Sequence, residues 1–206
     1  MKLINPSVKI EFPVSEIEIF KKVELAGRTC YKSEGKITDN SCISFFRMIL
    51  NKKHLSVLEH VSITARFICS RAMTHELVRH RLASYSQESQ RYCRYNTDDI
   101  QFIIPEWFGS EGKEKDILWS EAMEYAELKY IKLLETGQSA QDARDVLPNA
   151  TKTEIVVTAN LREWIHILKL RTAQEAHPEM RRLMNLFVAE LNKYYPNLMR
   201  LLNEHI

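Results

Sequence analysis

The chain has 206 residues, of which 45% are hydrophobic and 27% are charged. This composition is that of an ordinary globular protein with enough residues to bury a sizeable core, and it excludes extensive disorder. The formal net charge is only +2, so the charge balance does not indicate a surface for long nucleic acids or for membranes.

The first half of the chain predicts two strands and three helices. Residues 8–12 and 61–69 alternate apolar and polar side chains, which is typical of half-buried strands. Ser15 is a suitable N-cap for a helix that Gly27 would stop. The predicted helices are 15–26, 39–52 and 71–80, and the segment 82–89, which has no clear period, is predicted to be a loop.

The second half is predicted to be mainly helical. The predicted helices are 111–134, 140–146, 160–170 and 179–194, and the predicted strands are 91–95, 102–104 and 153–158. An apolar stripe every three to four residues marks the last of these helices. We therefore expect an α+β fold of mixed helices around a central sheet of antiparallel type, forming one domain over residues 1–206.

The cysteines and the apolar segments exclude several classes of protein. Cys30, Cys42, Cys69 and Cys93 never stand at C-x-x-C spacing, so the sequence indicates neither a zinc site nor a thioredoxin-like motif. No stretch approaches the ~20 apolar residues of a membrane span, and the N-terminal residues do not form a signal segment. We expect reduced thiols, no bound metal, no membrane association and a cytoplasmic location.

Residues 79–92 form the segment that is richest in groups able to bind an anion. It opens with Arg79-His80-Arg81 and continues without a lysine through Ser89 and Arg91. The planar guanidinium of arginine binds phosphate with two hydrogen bonds, and serine hydroxyls add further donors. A solvated basic turn after a helix is the alternative interpretation, but such turns usually mix lysine with glutamate.

This segment resembles the signature of the flavin-dependent thymidylate synthases, which is Arg-His-Arg, seven variable residues and Ser. Here Arg79-His80-Arg81 is followed by seven residues and then by Ser89, with Arg91 and Tyr92 matching beyond it. The resemblance implies that the chain methylates dUMP to dTMP. It implies methylenetetrahydrofolate as the carbon donor, NADPH as the reductant, FAD as the redox carrier, and tetrahydrofolate as the released product.

Three further segments carry the same resemblance between about Ser56 and His177. Residues 54–60 resemble a family segment whose hydroxyl, here Ser56, reaches the flavin. Residues 160–166 resemble its Asn-x-Arg flavin-binding stretch, with Arg162 and His166 on one helix face. Arg144 and Arg171 match arginines of the nucleotide site. Taken alone, each of these segments would indicate only an ordinary helix, a cap or a surface ion pair.

The resemblance implies a role for each matched residue. Those expected to bind the flavin are Ser56, Arg79, His80, Arg81, Gln87, Asn160, Leu161, Arg162 and His166. Those expected to bind dUMP are Glu76, Leu77, Val78, Arg79, Gln87, Glu88, Ser89, Gln90, Arg91, Arg144 and Arg171. Two of them depart from the pattern of some members, since Glu76 stands in place of Gln and Gln87 in place of Glu.

Arg171 is expected to be the catalytic residue. A fixed guanidinium beside O2 and N3 of the uracil would stabilise the negative charge that develops when C5 becomes electron-rich. The family also implies a homotetramer with sites built between subunits, and dUMP and folate as the substrates.

A nucleotide- or RNA-binding protein without catalytic activity is the alternative from another class. The arginine-rich segment and the nearby tyrosines favour it. The near-neutral charge argues against long nucleic acids, and we expect none as a partner.

Overall fold

The computed structural model describes residues 1–96 and 99–203. Among these residues the strands are β1 (Lys2–Ile4), β2 (Ser7–Glu11), β3 (Ser62–Ser70), β4 (Ala83–Gln87), β5 (Gln101–Ile103) and β6 (Lys152–Asn160). The helices are α1 (Glu16–Thr29), α2 (Ser41–Asn51), α3 (Arg71–Leu77), α4 (Lys113–Glu135), α5 (Ala140–Ala143), α6 (Leu161–Arg171), α7 (Pro178–Tyr194) and α8 (Pro196–Leu202). Short 3₁₀ helices cover Glu34–Lys36, Leu55–His60 and Arg144–Val146.

Four of the strands form one sheet in the order β2-β3-β6-β4, and β1 pairs in parallel with β5. The neighbours β3 and β6 are antiparallel. Arg71 N donates to Thr151 O (3.1 Å) and Leu161 N donates to Val61 O (2.9 Å), so residue numbers rise along one strand as they fall along the other. The expected α+β fold with an antiparallel sheet is confirmed, and the homotetramer stays a prediction.

Helix α1 begins where the sequence predicts and ends later than predicted. Ser15 donates to the Glu18 carboxylate through its backbone N (3.0 Å) and its hydroxyl (2.6 Å), as in a capping box. The helix passes Gly27 and ends at Thr29, so the predicted stop at Gly27 is wrong. A Cβ atom at Gly27 would lie 2.7 Å from the Phe45 ring. The glycine therefore serves close packing of α1 on α2.

The segments 82–89 and 91–95 differ from their prediction. The first contains strand β4 rather than a loop. The sequence did not predict this strand, because its side chains are mostly polar and show no hydrophobic alternation. The second contains no strand. Tyr92 N and Cys93 N instead donate to Ser89 O at 3.1 and 2.9 Å, which makes a turn. Strand β1 and helix α8 had no counterpart in the prediction.

The described residues group into two compact units. The first unit comprises residues 1–7, 67–79 and 86–156, and the second comprises residues 8–66, 80–85 and 157–206. Residues 97–98 and 204–206 within these ranges lie outside the described residues. The predicted single domain stays a prediction.

Each unit has its own buried apolar cluster. In the first unit, Tyr130 of α4 is buried with Ile100 and Phe102. In the second, Trp164 of α6 packs against Phe187 of α7 with ring centroids 4.5 Å apart. Its indole Nε1 donates to Ile63 O in β3 at 3.0 Å, which ties α6 to the strand it covers. No described helix is both long and apolar enough to cross a membrane.

Candidate active site

Helix α6 starts within one residue of the predicted start at residue 160, and Asn160 is its N-cap. The Asn160 side-chain oxygen accepts a hydrogen bond from Glu163 N at 2.9 Å, which satisfies one of the free donors at the helix start. The next residue, Leu161, is buried and donates its backbone N to Val61 O. Two of the residues expected to bind the flavin therefore also anchor the start of α6.

A cavity of about 950 Å³ lies along α6 in the second unit. Four of its eleven lining residues are apolar and seven are polar or charged, with cationic groups among them. The lining residues are Leu50, Lys53, Leu55, Glu59, Leu82, Asn160, Arg162, Glu163, Ile165, His166 and Lys169. Arg162 and His166, four residues apart, both line it, as their helical spacing predicts.

Arg162 is held at this cavity by a weak ion pair. Its Nη1 donates to Glu59 Oε1 at 2.6 Å, and both side chains are about half exposed. Such pairs contribute little free energy in water, so an anionic ligand can compete with Glu59 for this guanidinium. Ser56 is exposed on the same 3₁₀ helix as Glu59.

His80 and Arg171 form a hydrogen bond within the second unit. Arg171 Nε donates to His80 Nε2 at 3.0 Å, and the imidazole is only 6% exposed. The other ring nitrogen, Nδ1, lies 3.8 Å from Glu163 Oε1, which is too far for a hydrogen bond but close enough for attraction. The His166 ring stands edge-on to His80 with centroids 5.7 Å apart.

The surroundings keep His80 neutral at physiological pH. Burial, together with smaller contributions from the nearby Arg171 and His166, lowers the pKa of His80 to about 4. Because Nε2 accepts a hydrogen bond, the single ring proton belongs on Nδ1.

Tyr85 of β4 holds the backbone of His80. Its hydroxyl donates to the His80 carbonyl oxygen at 2.8 Å, and burial together with Glu163 raises the pKa of Tyr85 to about 12. The phenol is therefore protonated and able to donate.

The ligand atoms of His80, Glu163 and His166 lie within 4.8 Å of one another, close enough to hold a metal ion. The Nε2 lone pair of His80 is already engaged by the Arg171 guanidinium, whose positive charge also opposes a cation there. The absence of a metal stays a prediction.

Two of the arginines expected to bind dUMP meet at one glutamine in the first unit. Arg91 Nε donates to Gln141 Oε1 at 3.0 Å, and Arg144 Nε donates to the backbone oxygen of Gln141 at 3.1 Å. Sequence reasoning missed Gln141. Its place three residues before Arg144, on the same helical stretch, was the available signal.

Gln87 and Glu88, which belong to the segment 79–92, form hydrogen bonds to other residues of the protein through their side chains. Gln87 Nε2 donates to Thr74 Oγ1 (2.9 Å) and Thr153 Oγ1 (3.2 Å). Glu88 accepts from the Tyr95 hydroxyl (2.7 Å) and from Lys152 Nζ (2.8 Å). These bonds give Gln87 and Glu88 a structural role in the first unit, and their expected contacts with ligands stay predictions.

The remaining residues of the expected set differ in their exposure. Arg79, Val78 and Arg81 are exposed, Glu76 and Ser89 are partly buried, and Leu77 is buried. Gln90 is 6% exposed, and its amide nitrogen has no hydrogen-bond partner among the described residues. A buried unpaired donor is costly for the folded chain, which makes this amide a suitable partner for a ligand.

Comparison with known proteins places these residues in a family. Residues 14–197 match the family model described as thymidylate synthase complementing protein. The flavin-dependent thymidylate synthase of Geobacter sulfurreducens is 42% identical over 168 residues, which is 78% of this chain and 72% of that protein. The enzyme of the same name from Thermococcus kodakarensis is 41% identical over 162 residues, or 77% of this chain and 66% of that one.

A solved structure shares the fold. It is a UMP/dUMP methylase, PolB, from Streptomyces cacaoi, bound with 5-Br dUMP. The TM-score is 0.81 over 99% of this chain and 97% of that one, at 24% sequence identity.

Proposed function

The chain belongs to the thymidylate synthase complementing protein family, the flavin-dependent thymidylate synthases, and from that premise we propose that it converts dUMP to dTMP by reductive methylation. Methylenetetrahydrofolate is the carbon donor, NADPH is the reductant, and tetrahydrofolate is released. The observation that carries the proposal is that Asn160, Arg162 and His166, three residues of the family's flavin segment, line one cavity.

The cavity along α6 suits FAD in chemistry as well as in size. Its volume is within the range of cofactor sites, Leu55, Leu82 and Ile165 offer apolar walls to a flat ring, and Arg162 and Lys169 offer positive charge to a pyrophosphate. FAD, when bound, supplies the redox chemistry of the reaction. The residues of this chain supply binding, orientation and charge.

Arg171 is proposed to act on the uracil ring. Methylation at C5 requires electron density there, and negative charge then develops on the uracil oxygens and N3. A guanidinium already fixed in place stabilises that charge without reorganising during the reaction. The bond to His80 gives this arginine such a fixed position.

The remaining proposed roles concern the nucleotide and the assembly. Arg91, Arg144 and Ser89 would bind dUMP, with the two arginines directed at its phosphate. Ser56 and the segment that begins at Arg79 would serve the flavin, and sites built between subunits would require a homotetramer.

Release of deuterium from C5 of labelled dUMP tests the function directly. Purified protein should be yellow from bound FAD, and it should release the label and form dTMP only with the folate and NADPH both present. Omission of each component in turn tests the folate and NADPH separately. A colourless protein that forms no dTMP and shifts RNA in a gel assay would instead support the alternative of a binding protein.

A further inference from the structure

His80 is in contact with two charged residues at opposite ends of α6. Glu163 stands in the first turn of the helix and Arg171 is its last residue. The imidazole has Nδ1 facing the carboxylate of Glu163 at 3.8 Å and Nε2 accepting from Arg171 Nε at 3.0 Å. Each ring nitrogen is thus directed at one of the two residues.

This arrangement favours one tautomer of the imidazole. A negative carboxylate near Nδ1 stabilises a proton on that nitrogen, which leaves Nε2 as the acceptor that Arg171 requires. The ring is almost fully buried, and its backbone oxygen accepts the Tyr85 hydroxyl at 2.8 Å. The acceptor is therefore fixed in both orientation and protonation.

A buried neutral acceptor is well suited to hold an arginine that must remain charged for a ligand. An ion pair with a carboxylate would fix the guanidinium equally well but would offset its charge. The neutral Nε2 orients the Nε end of the guanidinium by a directional bond and does not itself offset the positive charge.

We propose that His80 is a positioning residue for Arg171, and that Glu163 sets the tautomer of His80 in which it can do so. The proposal rests on the proposed function, because it assumes that Arg171 stabilises charge on the uracil. It assigns to His80 a role in turnover that is separate from the flavin contact expected from the family motif.

The two amide substitutions of His80 provide a matched pair for the test. The Gln side chain places its amide near the position of Nε2, so His80→Gln keeps an acceptor for Arg171. The Asn side chain places its amide near Nδ1, so His80→Asn keeps a polar group facing Glu163 and loses the bond to Arg171. Both variants have similar size and polarity, and circular dichroism and FAD absorbance are the controls for folding and flavin binding.

We expect His80→Asn to lower kcat about tenfold, since a hydrogen bond to a charged group is lost. His80→Gln should retain kcat within about threefold of wild type, and KM for dUMP should change less than kcat in both. Equal kcat values for the two variants, in a wild-type enzyme that does form dTMP, would overturn the proposal. A wild-type protein that forms no dTMP would instead contradict the proposed function.

A double-mutant cycle separates positioning from an independent flavin contact. If His80 acts through Arg171, then His80→Asn should lower kcat little further in an Arg171→Ala background. An undiminished, multiplicative effect in that background would mean that His80 acts on its own.

A measurement on the protein itself checks the bond without turnover. In protein with ¹⁵N-labelled arginine, the Nε–H resonance that Arg171→Lys removes belongs to Arg171. Its hydrogen exchange should be slow in wild type and His80→Gln and should be faster in His80→Asn. The same exchange rate in all three proteins would contradict a bond to His80.

Discussion

The two groups of expected site residues differ in how the protein holds their arginines. In the second unit, Arg171 bonds to the buried imidazole of His80. In the first unit, Arg91 is exposed, Arg144 is partly buried, and both donate to neutral oxygens of Gln141. Arg162, also in the second unit, is paired with the carboxylate of Glu59.

The difference matches what each arginine is proposed to do. A buried, fixed partner suits Arg171, because charge stabilisation in a transition state depends on preorganisation. Arg91 and Arg144 share a neutral residue, so the acceptor at which their two positive charges meet is not a carboxylate that would compete with a phosphate. The comparison predicts that loss of the Arg171 guanidinium has a large effect on kcat. Loss of the contact that holds Arg91 should have only a modest effect on substrate binding.

Removal of the Arg171 guanidinium is expected to have the largest effect. Arg171→Ala should lower kcat by ~10²–10³-fold, the usual effect of losing one preorganised donor, while FAD content by absorbance stays near wild type. Arg171→Lys is the matched control, since it keeps the positive charge and loses the planar geometry of the guanidinium. Its kcat should lie between those of wild type and Arg171→Ala. Wild-type turnover in Arg171→Ala would show that this residue is not at the uracil.

The buried state of His80 should also make stability depend on pH. Its pKa in the folded chain is about 4, below the ordinary value of 6.5, so between these values the unfolded chain binds a proton that the folded chain does not. Stability should therefore fall as pH decreases from about 6.5 towards 4. The contribution of His80 is up to about 2 kcal/mol between pH 7 and pH 5.

Urea unfolding of wild type and His80→Gln at both pH values measures this contribution. The variant cannot titrate at this position, and the carboxylates that the two proteins share cancel in the comparison. Wild type should lose more stability than the variant on acidification. An identical loss in both proteins would mean that His80 has no lowered pKa.

How far the sequence predicts these regions depends on the range of the interactions. The start of α6 at Asn160 and the shared face of Arg162 and His166 follow from local rules of capping and spacing. The bond between His80 and Arg171 joins residues 91 positions apart in the chain. No periodicity encodes that contact, so the sequence could identify both residues by family resemblance but could not reveal that they touch.

The polar segments show a second reason for failed prediction. Strand β4 is formed by Ala83–Gln87, whose serines and glutamine give no apolar alternation, and its place in the sheet comes from pairing beside β6. Gln141 was missed for a similar reason, since an exposed glutamine on a short helix is marked only by its spacing of three residues from Arg144. Its role is visible only from the two arginines that donate to it.

The shared glutamine predicts an intermediate effect in the first unit. Gln141→Ala removes the acceptor for Arg91 Nε while the backbone oxygen that Arg144 uses remains. KM for dUMP should rise about two- to tenfold, the value of one hydrogen bond, with kcat nearly unchanged. Gln138→Ala, which alters another exposed glutamine of the same unit, is the control and should behave like wild type in dUMP titrations. A wild-type KM for dUMP in Gln141→Ala would show that Gln141 does not position Arg91.

The smallest expected effect concerns the thiols. A cysteine thiolate that attacks C6 of the uracil would be another way to activate C5, and Cys93 stands two residues after Arg91. It is exposed, in a turn where its backbone N donates to Ser89 O at 2.9 Å. Cys42 and Cys69 are buried at 1% exposure or less, which leaves Cys30 and Cys93 as the accessible thiols of the chain.

The proposed reaction needs no covalent bond between the protein and dUMP, because Arg171 stabilises the charge and FAD supplies the redox chemistry. The double variant Cys30→Ser/Cys93→Ser should therefore keep kcat within about twofold of wild type, the range of neutral surface substitutions. The buried thiols stay in place so that core packing is unchanged. Mass spectrometry of wild type quenched during turnover should find unmodified protein. A dUMP adduct on Cys93, or loss of turnover in the double variant with normal FAD content, would contradict the proposed mechanism. Either result would indicate nucleophilic catalysis by a cysteine instead of charge stabilisation by Arg171.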